Sequence, residues 1–294
     1  MTSSLLPQAI LIFGQGYTAG FIARALREAG VRVIATRRIA EGEVRGFDGE
    51  AVDARLLQDI AGVQAVLSSI PPDAGGDAAA RWLAALPQAS IRHLRGFGYL
   101  SSTGVYPAGE INEATAVAPQ DETGHRRVLA ESQWQALADS CAAASAMFRL
   151  PAIYGPGRNA ITQLAEGRAR LVDSPVCFNR VHVEDIARIV LAAMMRPRKG
   201  AVYLPCDELP ASQAEVLRHA AALSGLALPP AQALDDPALS PALRRFYQQG
   251  EKRIDNRRTR QELDWQPLYR DYRQGLEAAW QAGDGRDYNT PTTA

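Results

Sequence analysis

The stretch Gly14-Gln15-Gly16-Tyr17-Thr18-Ala19-Gly20 follows an apolar run, Ala9-Ile10-Leu11-Ile12-Phe13, and precedes a helical pattern carrying Phe21, Ile22, Ala25 and Leu26. The order is strand, glycine turn, helix. Gly14 permits a tight turn, Gly16 leaves room for a pyrophosphate against the backbone, and Ala19 or Gly20 lets the helix pack on the strand. Phosphates placed there meet the free N–H groups of a helix start, so the backbone of Tyr17 and Thr18 joins Gly14 and Gly16 as a candidate phosphate cradle. Plain strand-to-helix turns also use glycine, so the surrounding sequence has to choose between the two readings.

Downstream, Gly30 stops the helix and Val31-Arg32-Val33-Ile34-Ala35 alternates as a second strand. That strand ends at Thr36-Arg37-Arg38. An acidic residue at this strand end suits a bare ribose 2′-OH, whereas arginine accommodates a 2′-phosphate, so Arg37 and Arg38 favour NADP(H) and leave NAD(H) second. Ala51-Val52-Asp53 reads as a third strand, with Asp53 open to an adenine contact or a helix cap. Residues 65–70 read as a fourth strand, and the loop of residues 71–76 leaves its carboxyl end, bringing Ser69 and Pro71 past the pyrophosphate. Asp77 caps the next helix, which runs to Pro87.

A fifth strand, Phe97-Gly98-Tyr99-Leu100-Ser101, leads into Ser102-Thr103-Gly104-Val105-Tyr106. A helix over residues 121–138, a sixth strand at residues 146–150 and a loop from Pro151 complete the alternation. Six strands alternating with helices describe an α/β fold with a doubly wound parallel sheet, helices on both faces. Beyond residue 158 the alternation loosens, which divides the chain into a dinucleotide-binding part, residues 1–158, and a smaller C-terminal lobe, residues 159–294, that still returns strands and helices to the sheet. The basic cluster Lys252, Arg253, Arg257, Arg258 and Arg260 is interleaved with acids and reads as a solvated helix face, with anion binding second. Residues 283–294 read as a polar tail.

Composition narrows the function classes. A chain of 294 residues can bury about three quarters of its unfolded surface. Lys plus Arg and Asp plus Glu number 32 each, which gives no field for nucleic acid or an anionic membrane, so small molecules are the expected ligands. Cys141, Cys177 and Cys206 have neither metal-ligand nor disulfide-framework spacing. The first residues lack a basic segment followed by an apolar one, and no run approaches the roughly 18 apolar residues of a membrane span, so a cytoplasmic protein is expected.

Taken together, the chain resembles the extended short-chain dehydrogenase/reductases, the family of NAD-dependent nucleotide-sugar epimerases and dehydratases. The glycine turn carries the resemblance together with four further runs: residues 102–106, 149–158, 181–187, and Leu263-Asp264-Trp265-Gln266-Pro267. It implies a Rossmann fold, a substrate-polarising hydroxyl at Ser102 beside Thr103, Pro151 on a loop passing the nicotinamide, and a lobe interface supported by Val181-His182-Val183-Glu184-Asp185. Asp185 reads equally as a buried helix-start carboxylate.

One departure stands out. The family carries Tyr-x-x-x-Lys on the helix after strand five, with a glutamate four residues beyond the lysine. Anchored on Glu131, those positions hold Thr123 and Arg127. A lysine charge lowers a phenol pKa near 10, but a threonine hydroxyl cannot serve, and arginine remains charged. The general acid/base is therefore missing or moved. Tyr106, Tyr154, His125 and Glu122 are the candidates, with packing roles favoured for the tyrosines and a surface position for His125. Two classes follow: an NADP(H)-dependent oxidoreductase or epimerase-like enzyme acting on a small substrate, nucleotide sugars included, or a non-catalytic NADP(H)-binding redox sensor or partner-binding protein. A homodimer is compatible with either.

Overall fold

The computed structural model describes residues 6–248 and 250–286. Among them seven strands form one parallel sheet: β1 (Ala9–Phe13), β2 (Arg32–Arg37), β3 (Arg45–Gly46), β4 (Ala65–Ser68), β5 (Gly96–Ser102), β6 (Ala144–Leu150) and β7 (Ala201–Tyr203). Their order is β7-β6-β5-β4-β1-β2-β3. The chain winds outward in both directions from the β1/β4 junction, which opens a crevice at the carboxyl ends of those strands.

The strand β1 is buried along its whole length, and its period of two feeds two cores. Five helices flank the sheet: α1 (Tyr17–Glu28), α2 (Arg55–Ala61), α3 (Ala78–Ala85), α4 (Glu122–Ser140) and α5 (Val183–Met195). Ile10 and Ile12 join Ile22 and Leu26 of α1 and Ile189 and Val190 of α5. Leu11 and Phe13 join Leu56 of α2, Leu83 of α3 and Trp134 of α4. The doubly wound expectation holds, with β7 adding a seventh strand.

The third strand lies elsewhere than expected. Arg45–Gly46 pairs with Thr36 and Arg37, whereas Val52 makes only an isolated antiparallel bridge to Phe47. Phe47 is the anchor: its ring meets Phe13 at 5.0 Å and Trp82 at 6.0 Å, burying an aromatic that the small side chains at residues 51–53 cannot match.

The lobe is made of short paired strands and helices. Ala152–Tyr154 pairs with Arg180–His182, and Gly109–Ile111 pairs with Lys252–Ile254, both parallel. Helix α6 (Gln213–Ser224) starts with a Ser212/Glu215 capping box and stops at Gly225, whose φ of +74° suits glycine. It packs with α7 (Tyr272–Gln281) around Leu217 and Leu276. The 226–241 segment contributes the strand Ala231–Ala233, which pairs with Leu171–Asp173. Residues 287–294 of the expected tail lie outside the described residues.

The sheet and lobe meet at the start of α5. Asp185 is buried and its carboxylate accepts from the backbone N–H groups of Leu268 (2.6 Å) and Tyr269 (3.1 Å) and from Arg188 (2.8 Å). It is therefore a carboxylate that pins the chain after Trp265. His182 caps α5 through Nδ1, which accepts from Glu184 N–H, and its ring lies 3.9 Å from that of Tyr269.

Burial pushes the His182 imidazole down to about 4. An unfolded histidine titrates near 6.5, so between these values the unfolded chain binds a proton that the folded one excludes. This contribution is intact above about pH 6.5 and lost as the pH falls towards 4, amounting to about 3 kcal/mol. Urea unfolding of His182→Phe, which keeps the ring stack, should show a shallower loss of stability over that interval than the unsubstituted protein. Equal slopes would contradict it.

Candidate functional site

At the glycine turn, Gly14 adopts φ +82° and a Cβ there would lie 3.0 Å from Ile70 Cγ1, so this position is closed to other residues. Gly14 N–H donates to Thr36 Oγ1 (3.0 Å) and Gln15 N–H to Thr36 O (2.7 Å), which fastens the turn to β2. Gly16 is different. It has φ −88°, a Cβ would meet nothing within 4 Å, and no side chain caps α1. An uncapped helix start facing open space, with the Gln15 side-chain oxygen buried and unpartnered beside it, fits the pyrophosphate of a dinucleotide.

The neighbouring candidates occupy distinct places. The Tyr17 hydroxyl donates to Pro156 O (3.0 Å) and Arg158 lies over its ring, so the side chain ties α1 to the post-β6 segment and leaves backbone N–H groups for a phosphate. Burial pushes its phenol up to about 12. Thr18 is buried in the first turn of α1. Arg37 reaches Glu41 (2.8 Å), while Arg38 is exposed and unpaired among the described residues. The Asp53 carboxylate accepts from Arg55 N–H at the start of α2 and holds the Arg55 guanidinium at 2.7 Å, which keeps it well below the usual carboxylate range. Ser69 N–H bonds Phe13 O (2.9 Å) and Pro71 follows on the exposed loop. Asp77 holds that loop by accepting from Ala79 N–H and from Ser68 Oγ (2.6 Å).

Beyond the carboxyl end of β5 lies a cavity of about 330 Å³ lined by Ser102, Thr103, Thr123, Arg127, Pro151 and Lys252, among others. Its size falls at the lower end for small-molecule sites. Ser102 Oγ accepts from Gly104 N–H (3.1 Å), which orients the hydroxyl, and Arg127 donates to Leu100 O (3.3 Å). Thr123 stands where the resemblance puts a phenol. Gly124 brings it there: a Cβ would approach Gly104 O to 2.7 Å and Pro119 Cβ to 2.6 Å, so only glycine lets α4 abut the post-β5 turn. A larger cavity, about 630 Å³, opens at the opposite edge beside Gln8, Gln64 and Arg95. Parallel sheets bind ligands at their carboxyl edge, and none of the motif residues lines that larger space.

Tyr106, a candidate catalytic residue on sequence grounds, does not line the cavity. It is fully buried, donates to Asn112 O (3.3 Å) and accepts from Arg149 Nη1 (2.6 Å). Arg149 in turn forks onto Glu131 at 3.0 and 2.7 Å. Tyr154 is a buried lobe residue bonded to Asp271 O, His125 is exposed beside Asp121 O, and Glu122 pairs with Arg126 at the surface. None of the four lines the cavity beside Ser102.

The basic cluster separates. Arg253, Arg257, Arg258 and Arg260 pair with Glu251, Asp255, Glu262 and Glu208, as a solvated face should. Lys252 instead sits on the Lys252–Ile254 strand and lines the cavity. Nothing in sequence spacing links it to Ser102. Its one cue is identity, since Lys199 and Lys252 are the only lysines in the chain. Among the described residues no cluster could hold a metal ion, and no helix is long and apolar enough to cross a membrane.

The fold is the Rossmann-like one of solved NAD-dependent epimerase/dehydratase structures. Solved structures agree: the chain overlays dTDP-glucose 4,6-dehydratase of Bacillus anthracis in complex with NAD (TM-score 0.75, 17% identity, 96% of this chain and 97% of that one). UDP-N-acetylglucosamine 4-epimerase of Bacillus cereus matches similarly (0.73, 14%, 94% and 99%). The chain belongs to one family with a conserved protein of unknown function from Silicibacter pomeroyi DSS, at 38% identity and TM-score 0.84 over 94% of this chain and 99% of that one. No protein-family model and no curated protein matches it.

Gly124→Ala tests the packing that shapes the cavity. Alanine normally favours a helix over glycine by about 1 kcal/mol. Here a rigid carbonyl and a proline ring stand under 3 Å from the new methyl, and overpacking of about 1–3 kcal/mol should win. Thermal unfolding should fall; a rise would show that α4 does not depend on this contact.

Proposed function

We propose that this chain is an NADP(H)-dependent oxidoreductase or epimerase-like enzyme acting on a hydroxyl or carbonyl group of a small substrate, with nucleotide sugars as the first class to try. The observation that carries the reading is the pairing of two spaces at one sheet edge: an uncapped helix start behind Gly16, and a polar cavity walled by Ser102 and Thr123. Gly14, Gly16 and the first N–H groups of α1, including those of Tyr17 and Thr18, would hold the pyrophosphate. Arg37 and Arg38 would take a 2′-phosphate, Ser69 and Pro71 would flank the phosphates, and Pro151 the nicotinamide. The bound dinucleotide supplies hydride exchange. Ser102 Oγ, oriented by Gly104 N–H, donates to the substrate oxygen; Thr123 offers a second hydroxyl, and Arg127 holds positive charge beside the cavity without releasing a proton. The nucleotide-sugar enzymes that share the fold support the substrate class.

A second reading, a non-catalytic NADP(H) sensor, is favoured by one observation: Thr123 stands in place of a tyrosine, and Tyr106, Tyr154, His125 and Glu122 are engaged elsewhere. Turnover of a hydroxyl or carbonyl substrate separates the two readings.

Titration calorimetry should show NADPH binding more tightly than NADH. Arg37→Ala/Arg38→Ala should weaken NADPH about tenfold or more, consistent with loss of charge-assisted bonds, and leave NADH unchanged. Equal binding of both dinucleotides overturns the cofactor preference.

Gly16→Val should fold, because φ −88° suits a branched residue and its Cβ meets nothing within 4 Å. The same side chain fills the space in front of α1, so dinucleotide binding should be lost. A folded variant that binds normally removes the phosphate assignment.

A further inference from the structure

The cavity beside Ser102 lacks a phenol but does not lack a titratable group. Lys252 lines it, and among the described residues its ammonium has neither an ion-pair nor a hydrogen-bond partner. This sets it apart from the four arginines that follow it, each of which is paired. The chain meets almost every other need for positive charge with arginine, thirty in all against two lysines. The distinction is chemical, because a guanidinium stays protonated whereas an amine can give up its proton and take it back.

The backbone around Lys252 is pinned from two sides. Its strand pairs in register with the segment that follows the post-β5 turn, Lys252 opposite Gly109. Asn179 Nδ2 donates to Lys252 O, and Asn179 Oδ1 accepts from Ile254 N–H (3.4 Å). Asn179 itself lines the cavity, so it acts as a positioning residue. The titratable or charged groups that share this space are Asp121 and Arg127 from α4 and Cys177 from the facing strand; the sequence neighbours Glu251 and Arg253 pair with each other at 2.8 Å.

We propose that Lys252 is the proton-transferring residue of this site, replacing the phenol absent at Thr123. The proposal rests on the oxidoreductase reading above. In oxidation, the substrate C–H bond releases its hydride to the oxidant, a nicotinamide dinucleotide. The O–H bond breaks, its electron pair closes the C=O bond, and the proton moves to the neutral Lys252 Nζ, which becomes ammonium. In reduction the ammonium returns that proton to the oxygen as the hydride reaches carbon. Burial holds the ammonium below the usual lysine range, while the Asp121 carboxylate pulls it back up. That balance makes the neutral amine accessible nearer neutral pH.

Two lysines make the test direct. In protein labelled with ¹³C/¹⁵N-lysine, with the two side-chain signals assigned by Lys199→Arg, the Lys252 signal should titrate below the usual lysine range. A Lys252 that titrates within or above that range overturns the proposal, whether or not a substrate has been found. In the second measurement, Lys252→Arg should bind NADPH as the unsubstituted protein does. Its turnover with NADP(H) and a panel of hydroxy and keto nucleotide sugars should drop about 100-fold or more. The acidic limb of the unsubstituted protein's oxidation profile, and the basic limb of its reduction profile, should follow the Lys252 titration. Retained turnover in Lys252→Arg removes Lys252 as the proton carrier and leaves the oxidoreductase reading standing. Failure of the unsubstituted protein to bind NADPH removes that reading whatever Lys252 does. Lys252→Met serves as the second variant should the arginine disturb folding.

Discussion

The buried fork between Glu131 on α4 and Arg149 on β6, extended to the Tyr106 hydroxyl, is the constraint on which the cavity depends. Each of these residues lies on an element that ends at the cavity: α4 carries Thr123 in its first turn and Arg127 beyond it, β6 leads into Pro151, and Tyr106 closes the turn that holds Ser102 and Thr103. Burying the pair contributes little net stability relative to apolar packing, but removing one partner leaves an uncompensated charge and costs about 3–5 kcal/mol. Its value is geometric. A bidentate fork with a cation over the Tyr106 ring at 4.8 Å admits one relative placement of helix, strand and turn.

That frame explains how a site can change its acid–base group without changing its walls. Gly124 lets α4 press against Gly104 whether the preceding residue is threonine or tyrosine, so the hydroxyls of Ser102 and Thr123 stay at one edge. The Lys252–Ile254 strand reaches the same edge from the far end of the chain by pairing with Gly109–Ile111. A cationic side chain can therefore be exchanged there independently of the helix that normally carries the chemistry.

The crevice at the start of α1 was legible because its parts are neighbours in sequence. Strand, glycine turn and helix occupy residues 9–28, and the two conformational demands, a positive φ at Gly14 and open space at Gly16, are local ones. The helix caps at Asp77 and Ser212 and the period of two in β1 are local in the same sense. The third strand was misplaced because its position depends on Phe47 meeting Phe13 and Trp82, contacts whose partners lie 34 and 35 residues away in the chain. Tyr106 looked like a crevice residue because its motif ends a strand there; the side chain turns inward to Arg149.

What the sequence determined by itself is the fold, the glycine turn, the arginines at the end of β2 and the absence of a tyrosine at position 123, since hydrophobic period, glycine conformation and residue identity act over a few residues. What only the tertiary structure decided is which side chains share the cavity. Lys252, Asn179 and Cys177 belong to segments separated from Ser102 by 75 residues or more, and pairing between distant short strands brings them together. Such pairing leaves no periodic mark in the chain, because its register is set by the burial of both partners against the rest of the molecule.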